Sequence, residues 1–218
     1  MSDESLFREV DEEVRQEQYK QLWSRYGNLF VALCLVVVAA VAGYKGWQYW
    51  QVKQSESAAE TFFAAAKLAG AGKADDALKQ FESIGHPGYG LLAQFRQAAT
   101  LAATGKPVEA VKIYDGLAAN SAAAAPLRDL ARIRAAYVLI DTASQEDLAQ
   151  RVKPFDVTGD PWRHAAREIQ ALAAWRAADH AAADTMVKSM LGDPETPSGM
   201  RQRAQVLAEL LIPLVGKP

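Results

Sequence analysis

The chain has 218 residues, 24 basic and 26 acidic side chains, and a formal net charge of −2. This near-neutral balance argues against nucleic acid as a partner, because nucleic-acid binding needs a concentration of positive charge. Cys34 is the only cysteine, which excludes an intrachain disulfide and a cysteine-based metal site.

The chain begins with a charged leader, residues 1–25, which holds seven acidic and four basic residues. Some of its apolar residues fall near one face of a helix: Phe7, Val10, Val14 and Leu22. Two interpretations stay open for this face. It is either a solvated helix next to a membrane or a cytoplasmic contact for a membrane partner.

An uncharged apolar run follows, from Tyr26 to Tyr44. As a helix, these residues would extend about 28 Å, close to the hydrocarbon thickness of a bilayer. Aromatic residues stand at both ends of the run, as at membrane interfaces: Trp23, Tyr26, Tyr44, Trp47, Tyr49 and Trp50. The long acidic leader is unlike a signal peptide, so the sequence predicts an uncleaved transmembrane anchor at residues 26–50.

The distribution of basic residues predicts the orientation of this anchor. Four bases precede the span and two follow it: Arg8, Arg15, Lys20 and Arg25, then Lys45 and Lys53. The positive-inside rule therefore places the N-terminus in the cytoplasm and the C-terminal bulk on the other side.

The rest of the chain is rich in alanine and shows no alternating strand pattern, which favours helix throughout. One spacing of small and apolar residues recurs at intervals of 33, 38 and 35 residues, which predicts helical hairpins. The four copies are Ala65, Leu68, Gly72, Ala77, Phe81; Ala98, Leu101, Gly105, Ala110, Tyr114; Ala136, Leu139, Ala143, Leu148, Val152; and Ala171, Ala174, Ala178, Ala183, Val187. The last two copies lack the turn glycine. We predict an all-α fold in which the anchor precedes about four hairpins at residues 51–195 and a capping helix and tail at residues 196–218.

Two of these copies resemble tetratricopeptide repeats in the turn and second helix: GKADDA at residues 72–77 with Phe81, and GKPVEA at residues 105–110 with Tyr114. The leader sequence LFREVDEEV at residues 6–14, then WSRYG at 23–27 and one span, resembles the YfgM-type family. The stretch GDPWRHAARE at residues 159–168 resembles the C-terminal half of that family. The resemblance implies an ancillary subunit of the Sec translocon, in the bacterial inner membrane, with its repeats in the periplasm.

Catalytic motifs are scarce, and we expect no enzyme, no cofactor and no metal site. His164 and Glu168 stand one turn apart on a predicted helix; a solvated contact is favoured over a metal pair. GHPGYG at residues 85–90 lacks the Lys-Ser/Thr and the preceding strand of a phosphate loop, so we interpret it as a link between repeats.

The expected function is binding of protein segments by the inner face of a repeat solenoid. By resemblance, the partners are Sec translocon subunits, periplasmic chaperones and exported polypeptides. The alternative is an envelope-assembly or cell-division adaptor with one dedicated folded partner. The groove is predicted to be lined by bulky and charged residues of the first helices: Phe95, Ile133, Tyr137, Trp175 and Arg176. For Tyr137 and Trp175, a core position is an equally compatible interpretation.

Overall fold

A computed structural model describes the backbone of residues 3–215, with the side chains from Glu17 onward except those of Gln18 and Leu22. The described residues are helical and contain no strand, so the all-α prediction is confirmed. A single 3-10 turn, Lys153–Phe155, follows α6. The helices are α1 Asp3–Gly70, α2 Ala74–Glu82, α3 Pro87–Ala103, α4 Pro107–Ala119, α5 Ala125–Leu139, α6 Gln145–Val152, α7 Arg163–Arg176, α8 His180–Gly192 and α9 Ser198–Val215.

The chain divides into two units, one ending at Glu56 and the other beginning at Ser57. Within the described residues, the first unit consists of the part of helix α1 that ends at Glu56, and its apolar side chains are exposed; Leu33 and Val38, for example, are 60% and 64% exposed. Among the described residues, this is the one helix long and apolar enough to cross a membrane, with a mean hydropathy of 2.2 over its best window. It is therefore a candidate membrane anchor. The leader face of Phe7, Val10, Val14 and Leu22 lies outside the described side chains.

The second unit is a stack of helical hairpins. The last turns of α1 pair with α2, and α3 pairs with α4, α5 with α6 and α7 with α8. The second helix of each pair also packs against the first helix of the next pair, and α9 covers α8 at the end. Four hairpins and a capping helix were predicted, and this arrangement is confirmed.

The predicted repeat spacing coincides with buried positions in every hairpin. The small or apolar residue five positions after each turn residue is 0–1% exposed: Ala77, Ala110, Leu148 and Ala183. Four separate core clusters follow one another along the chain instead of one central core. Each hairpin therefore buries its apolar residues against its immediate neighbours, as in other repeat proteins.

Three of the four hairpin turns share one hydrogen-bond pattern. Gly72, Gly105 and Ala178 have positive φ angles of 79°, 77° and 59°. The amide that follows each of them donates to the carbonyl oxygen five residues earlier, which closes the first helix with a Schellman motif. The third turn differs, because the Ala143 amide donates to Leu139 O instead, and Ser144 caps α6 through its side chain.

Candidate functional site: a groove across three first helices

A groove of about 440 Å³ crosses the C-terminal half of the repeat unit. Its walls come mainly from α5, α7 and α9, the first helices of the last two hairpins and the capping helix. Apolar side chains predominate among the lining residues, which are Leu130, Ile133, Arg134, Tyr137, Trp162, Ala165, Glu168, Ala171, Leu172, Val187, Met190, Met200, Arg203, Ala204 and Leu207. A concave and mostly apolar surface with a few polar groups is typical of a binding site.

A buried carboxylate connects the three walls of this groove. The Tyr137 hydroxyl donates to Glu168 Oε2 at 2.6 Å. Arg203 donates to both oxygens of the same carboxylate, at 2.5 Å from Nε and 2.9 Å from Nη2. The Glu168 side chain is 7% exposed, whereas that of Arg203 is 58% exposed. The charge of Glu168 is therefore held below the surface while the guanidinium faces the groove opening.

The protonation states of this network follow from its geometry. Burial, together with the hydrogen bond to Glu168 and its negative charge, raises the pKa of Tyr137 far above its usual value. The hydrogen bonds to Glu168 likewise raise the pKa of Arg203. Tyr137 is thus a neutral hydrogen-bond donor and Arg203 a permanent cation. These roles suit the positioning and binding of a partner.

Of the five residues predicted to line a groove, the structure brings Ile133 and Tyr137 together in this one. Ile133 is only 2% exposed and belongs to the core cluster of α5, α6 and α7. Tyr137 is half-buried and packs against the same cluster.

The other three predicted residues lie outside the groove lining. Phe95 packs on Tyr114, with ring centroids 6.0 Å apart. Trp175 packs on His180 at 5.5 Å, because α7 and α8 meet at that turn. Arg176 is exposed and donates to the backbone oxygen of Ala143, so it links the third turn to the fourth.

The structure places both members of the His164 and Glu168 pair in the interior, which contradicts the interpretation as a solvated contact. They are 4% and 6% exposed. His164 Nδ1 lies 3.1 Å from Thr196 Oγ1, and that hydroxyl donates to Met190 O, so the imidazole nitrogen must be the donor. Glu168 instead pairs with Arg203 and Tyr137, as described above.

Glu168, Met200 and Arg203 were missed by sequence reasoning as groove residues. A single charged residue within an alanine-rich helix resembles a solvated position, and nothing in its spacing indicates a partner 35 residues away. The available signal was the capping helix predicted after the fourth hairpin, because stacking of that helix on the last hairpin places α9 beside α7.

Comparison with known proteins agrees with this architecture. A family model described as a tetratricopeptide repeat-like domain matches residues 20–188, which is more than half of the chain. No curated protein and no solved structure matches the chain. The helical hairpins and the extent of the family match together show that the chain belongs to the tetratricopeptide repeat-like domain family.

Proposed function

We propose that this protein is a single-span membrane protein that binds protein segments in the groove of its repeat domain. The groove carries this proposal, since it combines an apolar lining with a fixed, neutralised carboxylate and an accessible guanidinium. Repeat domains of this family are typically binding scaffolds without catalytic activity, and we assign no reaction to this one. The exposed apolar run of α1 would anchor the chain in a membrane.

We place the protein in the bacterial inner membrane, with its N-terminus in the cytoplasm and residues 51–195 in the periplasm. The basic residues around the span and the resemblance of the leader to the YfgM-type family support this location. The same resemblance supports an ancillary role at the Sec translocon, with periplasmic chaperones and exported polypeptides as partners. The alternative is an envelope-assembly or cell-division adaptor that binds one dedicated folded partner.

Site-specific photo-crosslinking in living cells tests the binding role. A photoreactive amino acid would replace Leu172 in the groove lining, and a control would replace Val108 on α4, which is 81% exposed. We expect crosslinks to many exported polypeptides and to Sec subunits or chaperones from position 172 alone. One recurrent folded partner would favour the adaptor instead, and equal crosslinking from both positions would contradict a role for the groove.

Cysteine labelling tests the orientation separately. In a Cys34→Ser background, Val108→Cys should react with an impermeant maleimide once the outer membrane is permeabilised, and Ser5→Cys should not. Val108 suits this purpose because its side chain is 81% exposed. The reverse labelling pattern would contradict both proposed roles, since each of them requires the repeat domain to lie in the periplasm.

A further inference from the structure

The capping helix repeats the pattern of α7 at a spacing of 38 residues. Ala166, Ile169 and Ala173 of α7 are all 0% exposed and pack against the preceding hairpin. Their counterparts in α9 are also buried among the residues of the preceding hairpin: Ala204, Leu207 and Leu211. Helix α9 therefore occupies the position of a fifth first helix.

By the same spacing, groove positions of α7 correspond to exposed apolar residues of α9. Glu168 and Leu172 line the groove, and the residues 38 positions later are Val206 and Leu210. Val206, Leu210 and Leu214 are 55%, 52% and 46% exposed. They stand at intervals of four residues, so they form one apolar ridge on the helix surface, which we call the α9 ridge.

The charge around the groove is positive. Arg134 and Arg203 are the basic residues of the lining, and Glu168 is its one acidic residue. Arg203 and Tyr137 already satisfy the Glu168 carboxylate. Arg134 is exposed and, among the described residues, has no ion-pair partner. Within the groove lining, an incoming acidic side chain would therefore meet the guanidinium groups of Arg134 and Arg203 and no unpaired carboxylate.

We propose that the groove and the α9 ridge together bind one amphipathic, acidic helix of a partner protein. This proposal rests on the binding role proposed above and names the kind of segment that is bound. A helix fits because the row of side chains that forms the α9 ridge can pack between two rows of side chains on another helix. The described residues offer no strand edge to which an extended segment could add. The ridge spans about 12 Å from Val206 to Leu214, so a helix of about three turns would cover it and reach the groove.

Binding of synthetic peptides to the full chain tests the proposal. The protein is placed in phosphatidylcholine nanodiscs, which carry no net charge, and empty nanodiscs serve as the blank. The probe is a 16-residue labelled peptide with leucines at helical spacing on one face and glutamates beside them. A second peptide has lysine in place of each glutamate, and a third has the acidic composition in scrambled order. Fluorescence anisotropy measures the affinity of each peptide.

We expect the acidic amphipathic peptide to bind most tightly. The lysine peptide should bind about threefold to tenfold more weakly, because exposed charges contribute modest energies. The scrambled peptide should lose about tenfold or more, because it has no continuous apolar face. Leu210→Ser should weaken the binding of the acidic peptide about threefold or more, and Val108→Ser, a change at a still more exposed apolar position on α4, should have no effect.

Charge reversal at one groove residue gives the sharper test. Arg134→Glu should remove or reverse the preference for the acidic peptide. Its matched control is Arg132→Glu on the same helix, since Arg132 pairs with Asp129 and lies outside the groove lining. Circular dichroism and thermal unfolding verify that each variant is folded.

Equal binding of the acidic and lysine peptides, or no response to Leu210→Ser, would overturn the proposal. A chain dimer that Leu210→Ser abolishes would assign the α9 ridge to a second copy and would also overturn it. If the peptides fail to bind while position 172 still crosslinks to partners in cells, the binding role stands and the helical segment is wrong. If both fail, the groove has no binding role.

Discussion

Ala178 adopts the backbone conformation that Gly105 adopts 73 residues earlier in the chain. Their φ angles are 59° and 77°, and each closes the first helix of its hairpin with the same pair of backbone hydrogen bonds. Gly105 has this conformation without steric cost, whereas the Cβ of Ala178 is close to its own backbone there. The hairpin geometry thus requires a left-handed backbone conformation at a position that holds alanine instead of glycine.

Replacement of this alanine by glycine should stabilise the protein. We expect Ala178→Gly to raise the free energy of unfolding by about 0.5–1.5 kcal/mol, since the relief of strain exceeds the entropy that glycine adds to the unfolded chain. Chemical denaturation of the full chain in detergent micelles, followed by circular dichroism, measures the change.

Ala143→Gly is the matched control, because Ala143 stands at the same repeat position without a positive φ. This variant should be destabilised by up to about 1 kcal/mol. If both glycine variants shift in the same direction, the left-handed turn at Ala178 is not the cause.

Much of the fold could be predicted from the sequence because small residues are required wherever two helices approach closely. Ala77 and Ala110, two small residues of the predicted repeat spacing, are both 0% exposed. The groove was less predictable. The burial of Glu168 depends on Arg203 and Tyr137, which lie on other helices. The sequence around Glu168 does not indicate partners that lie 31 and 35 residues away. Ile133 was chosen for its bulk, which is equally a property of core residues.

Loss of the Arg203 side chain should destabilise the fold because it leaves the buried Glu168 carboxylate without its charge partner. We expect Arg203→Met to lower the free energy of unfolding by about 2–4 kcal/mol, since Glu168 would keep one donor, Tyr137, and lose its charge partner. Chemical denaturation again provides the measurement.

The double variant Arg203→Met/Glu168→Leu distinguishes this cause from simple loss of packing. Removing both charges should restore part of the stability that Arg203→Met loses, because no unpaired charge then stays buried. A double variant that is less stable than Arg203→Met by the full cost of Glu168→Leu alone would show that the two residues are not coupled.

Ile133 should behave as a core residue in stability measurements. Ile133→Ala should cost about 2–4 kcal/mol, because its side chain is 2% exposed and packs among α5, α6 and α7. Leu92→Ala on α3 is the control, since Leu92 is 44% exposed, and its cost should stay below about 1 kcal/mol. Thermal and chemical unfolding of both variants measures the difference. Similar losses at the two positions would mean that Ile133 is more accessible than its packing indicates.

The stability of the repeat domain should fall as the pH drops below about 6.5, because His164 is buried in its neutral form. Burial lowers its pKa from the usual 6.5, and the positive charge of Arg163 lowers it further. Between the lowered pKa and 6.5 the unfolded chain binds a proton that the folded chain does not, so the free energy of unfolding decreases as the solution becomes more acidic.

Thermal unfolding of the full chain at pH 7.5 and pH 5.5 measures this effect. His164→Asn should be less stable than the parent chain at pH 7.5, but its stability should change less between the two pH values. An equal pH dependence in His164→Asn and in the parent chain would show that another group is responsible.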